Sequence, residues 1–435
     1  MTTVRMAYGE RGYDLALDDD LIEATVILPV DPPALSDAHV AFLAAARAPQ
    51  GTPPLATLAR ETLAKVHGRA LRVVIAIADH TRPVPDHLLI PWLVAELGVP
   101  DSAVTILVGT GTHRGSTPDE LKRMLGDAVA RFTVINHDCH DPTLVHVGNS
   151  SCGGECWLNH RWVEADLRIA TGFIEPHFYA GFSGGSKSIV PGIAGLKTVQ
   201  HFHRASLIAD PATTWGEVAR NPLQRLTREM TARCPPHAIV NVTLNRAKAI
   251  TGVFVGAVTA AHDAGCAAAL HEATTPVARR FPVVVTTNSG YPLDQNFYQT
   301  VKGISAAARI VERGGTILSL SRCNVGLPDE GEFRAILADP RPTPELHRAI
   351  QATAVTRHDQ WQVQTLLQCL EHARVVLHSE LTPAQRVHTR TGHTDDPAAF
   401  LAELACASGR RLPVALMPLG PLTIPVLAEP AASSG

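Results

Sequence analysis

The chain has few aromatic residues: Phe, Trp and Tyr together make up 5% of its 435 positions. Ala and Val must fill much of the core in their place. No stretch of eighteen apolar residues occurs, which leaves nothing that reads as a membrane span. No excess of one charge occurs either. A formal net charge of −3 gives no general attraction to nucleic acid or to an anionic membrane surface, so local groups must hold any anionic ligand. The opening Met1-Thr-Thr-Val-Arg-Met-Ala lacks the charged-then-apolar pattern of a secretory leader. The eight cysteines are scattered, and only Cys152 and Cys156 stand close, as C-x-x-x-C. Neither they nor Cys139 form the paired pairs of a structural zinc site, and reduced thiols in a cytoplasmic protein are expected.

What is present describes an α/β enzyme. Hydrophobic residues make up 45% of the chain and charged residues 18%, and the length exceeds one ordinary core. Apolar runs such as Val73-Val-Ile-Ala-Ile-Ala78, Val104-Thr-Ile-Leu-Val-Gly109 and Leu167-Arg-Ile-Ala-Thr-Gly172 alternate with helical segments. Runs apolar throughout indicate parallel strands covered on both faces. The predicted fold is two α/β domains with mostly parallel sheets and an active site in the cleft between them. Residues 1–270 are expected to form the N-terminal domain and 275–409 the C-terminal one, with the tail 410–428 returning to the first. Residues Glu429 to Gly435 read as a loose end.

The chemistry concentrates at strand ends. Asp79, His113 and His177 each follow a predicted strand, and open parallel sheets bind ligands beyond the carboxyl ends of their strands. Asp79-His-Thr81-Arg82-Pro83 offers a guanidinium suited to clamping a carboxylate. Gly181-Phe-Ser-Gly184-Gly185-Ser-Lys187 presents an amine on a glycine-rich turn. It departs from the phosphate-loop pattern because Ser186 stands where glycine must precede the lysine. Gly109-x-Gly111-x-x-x-Gly115 is one residue off the dinucleotide fingerprint and reads as a turn. His113 and His177 suit either a pair of acid/base groups serving opposite faces of one carbon or, with His203, three ligands of a zinc hydrolase. Tyr298, Gln299 and Lys302 lie near the start of a predicted helix, with Tyr298 and Lys302 four apart on one face.

Taken together and in order, Asp79-x-Thr81-Arg82-Pro, Gly-Thr-His113-Arg, Glu-Pro-His177, Gly-Phe-Ser-Gly184-Gly185-x-Lys187-x-Ile-Val-Pro-Gly, His203, Asn-x-Gly-Tyr-Pro-Leu-Asp-Gln-Asn-x-Tyr298-Gln299-x-x-Lys302 and Asp-x-Trp361-Gln resemble the nickel-dependent lactate racemase family. The resemblance implies nickel held in a nickel-pincer nucleotide, a pyridinium-3,5-bisthiocarboxylic acid mononucleotide, attached covalently at Lys187. It implies His203 as the protein's nickel ligand, with His201 the nearby alternative, and His113 and His177 as the catalytic acid/base pair. It places Arg82, Lys302 and Gln299 on the substrate and Asp79, Thr81, Gly184, Gly185, Tyr298 and Trp361 around the cofactor. The implied reaction is racemisation of a 2-hydroxy acid, lactate first, with malate, an aromatic lactate or a sugar acid as alternatives. Hydride would pass to the cofactor, leave a bound 2-keto acid and return to the other face. Partners would be the small-molecule substrate and the enzymes that build the cofactor, with no nucleic acid or membrane.

Overall fold

The structure, a computed structural model, describes residues 1–328 and 331–428. The expected loose end from residue 429 lies outside the described residues. The chain forms two compact units. One comprises Asp31–His203 and Ala212–His271, and the other Met1–Val30, Arg204–Pro211 and the described residues from Glu272 onward.

The first unit is built on a six-stranded sheet in the order Ile250–Gly256, Ala238–Leu244, Leu167–Phe173, Val73–Ala78, Val104–Gly109 and Thr133–Asn136. Every neighbouring pair is parallel except the first, which is antiparallel. Ile75 stands opposite Ile106 on one side and Ile169 on the other, so branched side chains stack across the sheet centre. These residues join Ile77, Val108 and Val240, and Leu89, Ile90 and Leu93 of helix Asp86–Leu97, in one buried cluster. Burying each such side chain stabilises the fold by roughly 1.5–3 kcal/mol. Local signals set the helix ends. Pro118–Leu125 begins at Thr117, which forms a capping box with Glu120 and is followed by proline at the first helical position.

The second unit carries another six-stranded sheet, parallel throughout, in the order Gly392–His393, Arg374–His378, Val311–Leu320, Phe281–Thr287, Leu412–Met417 and Ile22–Val26. An antiparallel hairpin, Thr2–Met6 with Tyr13–Leu17, adds Met6, Leu15 and Leu17 to the cluster of Val283, Leu318 and Leu416.

This arrangement corrects two boundaries. The first thirty residues belong with the C-terminal half and not with a domain running from 1 to 270, and the tail does not return to the first domain. Leu412–Met417 fills the open side of Phe281–Thr287 and pairs in turn with Ile22–Val26, of which only Ile22 is buried. Two apolar runs from opposite ends of the chain thereby satisfy each other's backbone groups. Hydrophobic pattern alone carries no information about that partnership.

Candidate active site

Three adjacent strands at the centre of the first sheet, Leu167–Phe173, Val73–Ala78 and Val104–Gly109, run parallel, so their following loops leave one sheet edge together. Asp79, His113 and His177 arise there, as the strand-end argument expects. Asp79 is buried, and its Oδ2 lies 2.7 Å from His113 Nδ1. Its Oδ1 accepts from the Thr81 backbone N–H at 3.1 Å and from the Thr81 hydroxyl at 2.5 Å, and Arg82 Nη1 donates to that hydroxyl at 2.8 Å. Burial works to raise the Asp79 carboxyl. The His113 imidazole beside it, with Arg82 and Thr81, more than offsets this and holds it below the usual carboxylate range. The carboxylate fixes His113 with Nδ1 as donor and Nε2 as the basic atom. The sequence placed Asp79 beside a cofactor and assigned it no such pairing. The His113 loop is tied down further along: Arg114 grips Glu120 bidentately at 2.7 and 2.8 Å.

His177 is also buried, but its Nδ1 accepts the backbone N–H groups of Tyr179 at 3.1 Å and Ala180 at 3.2 Å. The turn that follows the residue therefore sets its ring.

Lys187 lies in a single 3₁₀ turn, Gly185–Ser188, that follows Gly184. Gly184 and Gly185 adopt φ of 77° and 56°, a region that side chains disfavour. A Cβ on Gly184 would stand 2.7 Å from Asn241 Oδ1, and one on Gly185 2.5 Å from the His262 ring. The turn is held from below. Asn241 Oδ1 accepts the Gly185 N–H at 2.8 Å, His262 Nε2 donates to the Ser183 carbonyl at 2.9 Å, and the Thr231 hydroxyl donates to the Ser186 carbonyl at 3.3 Å. Burial, seconded by the Arg82 charge, pushes the Lys187 amine down to about 7. Asn241 and His262 escaped sequence reasoning. The one available signal for Asn241 was a lone amide inside the apolar strand Ala-Ile-Val-Asn-Val-Thr-Leu.

His203 closes helix Leu196–Phe202, and its Nδ1 donates to the Val199 carbonyl at 3.0 Å. That bond fixes the tautomer with the lone pair on Nε2, the arrangement common to metal-ligating histidines. His201 points elsewhere: its Nε2 lies 3.3 Å from Cys152 Sγ and 3.5 Å from Ser150 Oγ in the turn of hairpin Val145–Asn149/Glu155–Leu158. Among the described residues no three His, Cys, Asp or Glu side chains converge as a metal site. Asp79 engages the His113 ring and the Tyr179–Ala180 turn engages the His177 ring, each separately.

In the second unit, Tyr298, Gln299 and Lys302 lie on helix Phe297–Ala307, which begins at Asn296, whose side chain accepts the Gln299 N–H at 2.9 Å. Trp361, on helix Gln360–His372, donates its indole N–H to the Tyr298 hydroxyl at 2.9 Å. Gln299 is buried, and its Oε1 has no partner among the described residues. An amide oxygen left so is suited to a bound group that brings a donor.

Residues 8–216 match the lactate racemase N-terminal domain and residues 278–402 the lactate racemase C-terminal domain. A lactate racemase of Lactiplantibacillus plantarum is 36% identical over 356 residues, covering 80% of this chain and 83% of that protein. The chain belongs to the lactate racemase family. A lactate racemase of Thermoanaerobacterium thermosaccharolyticum is 36% identical over 310 residues, covering 70% of this chain and 72% of that protein. The structure of the lactate racemase apoprotein from the same organism superposes with a TM-score of 0.87 at 30% identity, over 98% of this chain and all of that one. A protein of Thermotoga maritima, 15% identical with a TM-score of 0.65, shares the fold. Family membership makes the chain an isomerase of the racemase type. No helix among the described residues is long and apolar enough to cross a membrane.

Proposed function

We propose that this member of the lactate racemase family racemises a 2-hydroxy acid, with lactate as substrate, using a nickel-pincer nucleotide attached at Lys187. The observation that carries the reading is the Lys187 amine. It sits on a turn that only glycine fits, and its pKa is low enough to leave much of it unprotonated and nucleophilic at neutral pH. The donor set suits the group. Lys187 would tether it, His203 Nε2 would ligate nickel, and Gly184, Gly185, Asp79, Thr81, Tyr298 and Trp361 would line it. The cofactor, when bound, supplies a hydride acceptor, the one capacity that amino-acid side chains lack.

The chain's own residues do the rest. The Cα–H of a 2-hydroxy acid is too weakly acidic for direct removal by histidine, so the route runs through the keto acid. His113, with Asp79 behind it, takes the hydroxyl proton at Nε2, and His177 serves the substrate oxygen from its own position. Arg82 and Lys302 hold the carboxylate by charge, with Gln299 adding a polar contact, and keep the keto acid from leaving. Enzymes that build the cofactor are the partners this chemistry requires.

Intact-mass spectrometry with metal analysis, on protein co-produced with those enzymes, tests the reading. A mass increment mapping to Lys187 with nickel, and interconversion of D- and L-lactate in a chiral assay, is expected. Unmodified protein that interconverts no 2-hydroxy acid overturns it.

A further inference from the structure

Three consecutive carbonyls just beyond the lysine turn are each held by a different segment of the first unit. Gly192 O accepts the Gly111 N–H at 2.9 Å, Ile193 O accepts the Asn159 N–H at 3.0 Å, and Ala194 O accepts from His137 Nε2 at 3.0 Å. His137 follows strand Thr133–Asn136, at the edge of the sheet, and is buried. Its ring has one consistent assignment. A carbonyl only accepts, so Nε2 donates to Ala194, and Nδ1 accepts from Asn159 Nδ2 at 3.3 Å. Asn159 Oδ1 accepts the Arg161 N–H at 3.0 Å, which turns the amide nitrogen toward the ring. The His137 carbonyl accepts the Thr110 hydroxyl at 2.7 Å. Thr110 opens the turn that carries His113, and its own carbonyl accepts the His113 N–H at 2.9 Å. On the other side, the Gly192 N–H donates to the Lys187 carbonyl at 3.2 Å. Backbone bonds therefore run from Lys187 through Gly192 and Gly111 to the turn of His113. His137 grips that path on both sides, Ala194 with its ring and Thr110 with its carbonyl.

We propose, resting on the 2-hydroxyacid reading above, that His137 is a positioning residue that sets the separation between the Lys187 tether and the His113 imidazole. The two groups arise from loops after different strands, and nothing in either loop alone fixes their spacing. A proton acceptor must stand at one distance from whatever the lysine holds, and a misplacement of about 1 Å can cost about 10²-fold in rate. The ring suits the task because it donates at one nitrogen and accepts at the other within a rigid plane. The residue before it completes the grip. Asn136 Oδ1 accepts the Ser116 N–H at 3.0 Å, and its Nδ2 donates to the Ser116 carbonyl at 2.9 Å. The loop that carries His113 is thus held at its start by His137 and at its end by Asn136, two adjacent residues at the end of one strand that itself carries none of the site's chemistry.

Three variants of the full-length chain test this. His137→Leu removes the ring's hydrogen bonds, and His137→Gln returns an amide donor near the Nε2 position. Thr110→Val keeps the side chain's shape and removes only its bond to the His137 carbonyl, which keeps the test open if the His137→Leu chain does not fold. The first measurement is hydrogen exchange read by mass spectrometry on cofactor-free protein. Residues 109–116 and 187–195 are both expected to exchange about tenfold faster in His137→Leu and to return toward the parent in His137→Gln, while Thr110→Val speeds 109–116. The second is a chiral steady-state assay of the loaded enzymes. His137→Leu and Thr110→Val are expected to lose about 10–10²-fold in kcat, with KM within about threefold of the parent and attachment at Lys187 retained by intact mass, and His137→Gln to recover most of that loss. Faster exchange in only one of the two segments of His137→Leu, or a kcat within about threefold of the parent in Thr110→Val, overturns the proposal while the parent still racemises. A parent that racemises no 2-hydroxy acid overturns the functional reading, and the exchange comparison then still decides whether His137 joins the two segments.

Discussion

Asp79 Oδ2 and His113 Nδ1 stand 2.7 Å apart at the ends of two neighbouring parallel strands, which leaves Nε2 as the basic atom of the His113 ring. Replacing Asp79 with Asn keeps the shape but turns an acceptor into an amide able to donate to Nδ1, which moves the proton to Nε2. Racemisation by Asp79→Asn is expected to fall by about 10²–10⁴-fold in kcat, with KM changed only a few-fold. Chiral steady-state assays of the loaded enzyme check it. A kcat within threefold of the parent removes the carboxylate from the mechanism.

Lys187 is expected to titrate near 7, far below an ordinary lysine at about 10.4. The folded state disfavours the charged amine, so the unfolded chain binds more protons between these values, and this group's effect on stability becomes more favourable as pH rises across that window. Site-resolved labelling with a small acylating reagent, read by peptide mass spectrometry on cofactor-free protein, should show a midpoint near pH 7 at Lys187. Lys187→Ala should abolish the mass increment of loaded protein, whereas Arg82→Ala should retain it and lose substrate handling.

Asn241 supports the lysine turn through the Gly185 N–H. Asn241→Ala leaves that buried donor unpaired and should cost about 1–3 kcal/mol of stability. Gly185→Ala adds a Cβ against His262 at a positive φ and should prevent attachment at Lys187. Thermal unfolding and intact mass report the two effects separately, and normal attachment in Gly185→Ala would contradict the role given to the turn.

His203→Ala should lose nickel, while His201→Ala should keep it, because the His201 ring is engaged with Cys152 and Ser150 of the hairpin turn. Metal analysis of the two loaded variants decides between them, and the reverse pattern would reassign the ligand.

Asp86 is fully buried, and its Oδ1 accepts from the Thr171 hydroxyl at 2.9 Å. Burial pushes its carboxyl up to about 7, against the opposing pull of that hydrogen bond. The unfolded chain releases this proton near pH 4, so the contribution of Asp86 to stability falls as pH rises from about 4 to 7 and stays low above. Asp86→Asn, neutral at every pH, should gain in melting temperature relative to the parent between pH 5 and pH 8. A constant difference would show that the carboxyl ionises normally.

Much of this was legible in the chain. Val73–Ala78, Val104–Gly109 and Leu167–Phe173 announce themselves because a strand covered on both faces must be apolar at consecutive positions, and that pattern is local. The ordered motifs around Arg82, His113, His177, Lys187 and Lys302 carry the family resemblance for the same reason: each is a short loop at an element's end. The partnership of Leu412–Met417 with Ile22–Val26 was not legible, since strands nearly four hundred residues apart are chosen by which sheet edge remains open. Nor were the support of Gly185 by Asn241, the carboxylate behind His113 and the backbone donors behind His177. Residue types along the chain determined which chemical groups this protein owns. Only the tertiary structure decided which groups face each histidine of the site and how readily one lysine gives its proton up, because those properties depend on neighbours within a few ångströms that sequence order does not record.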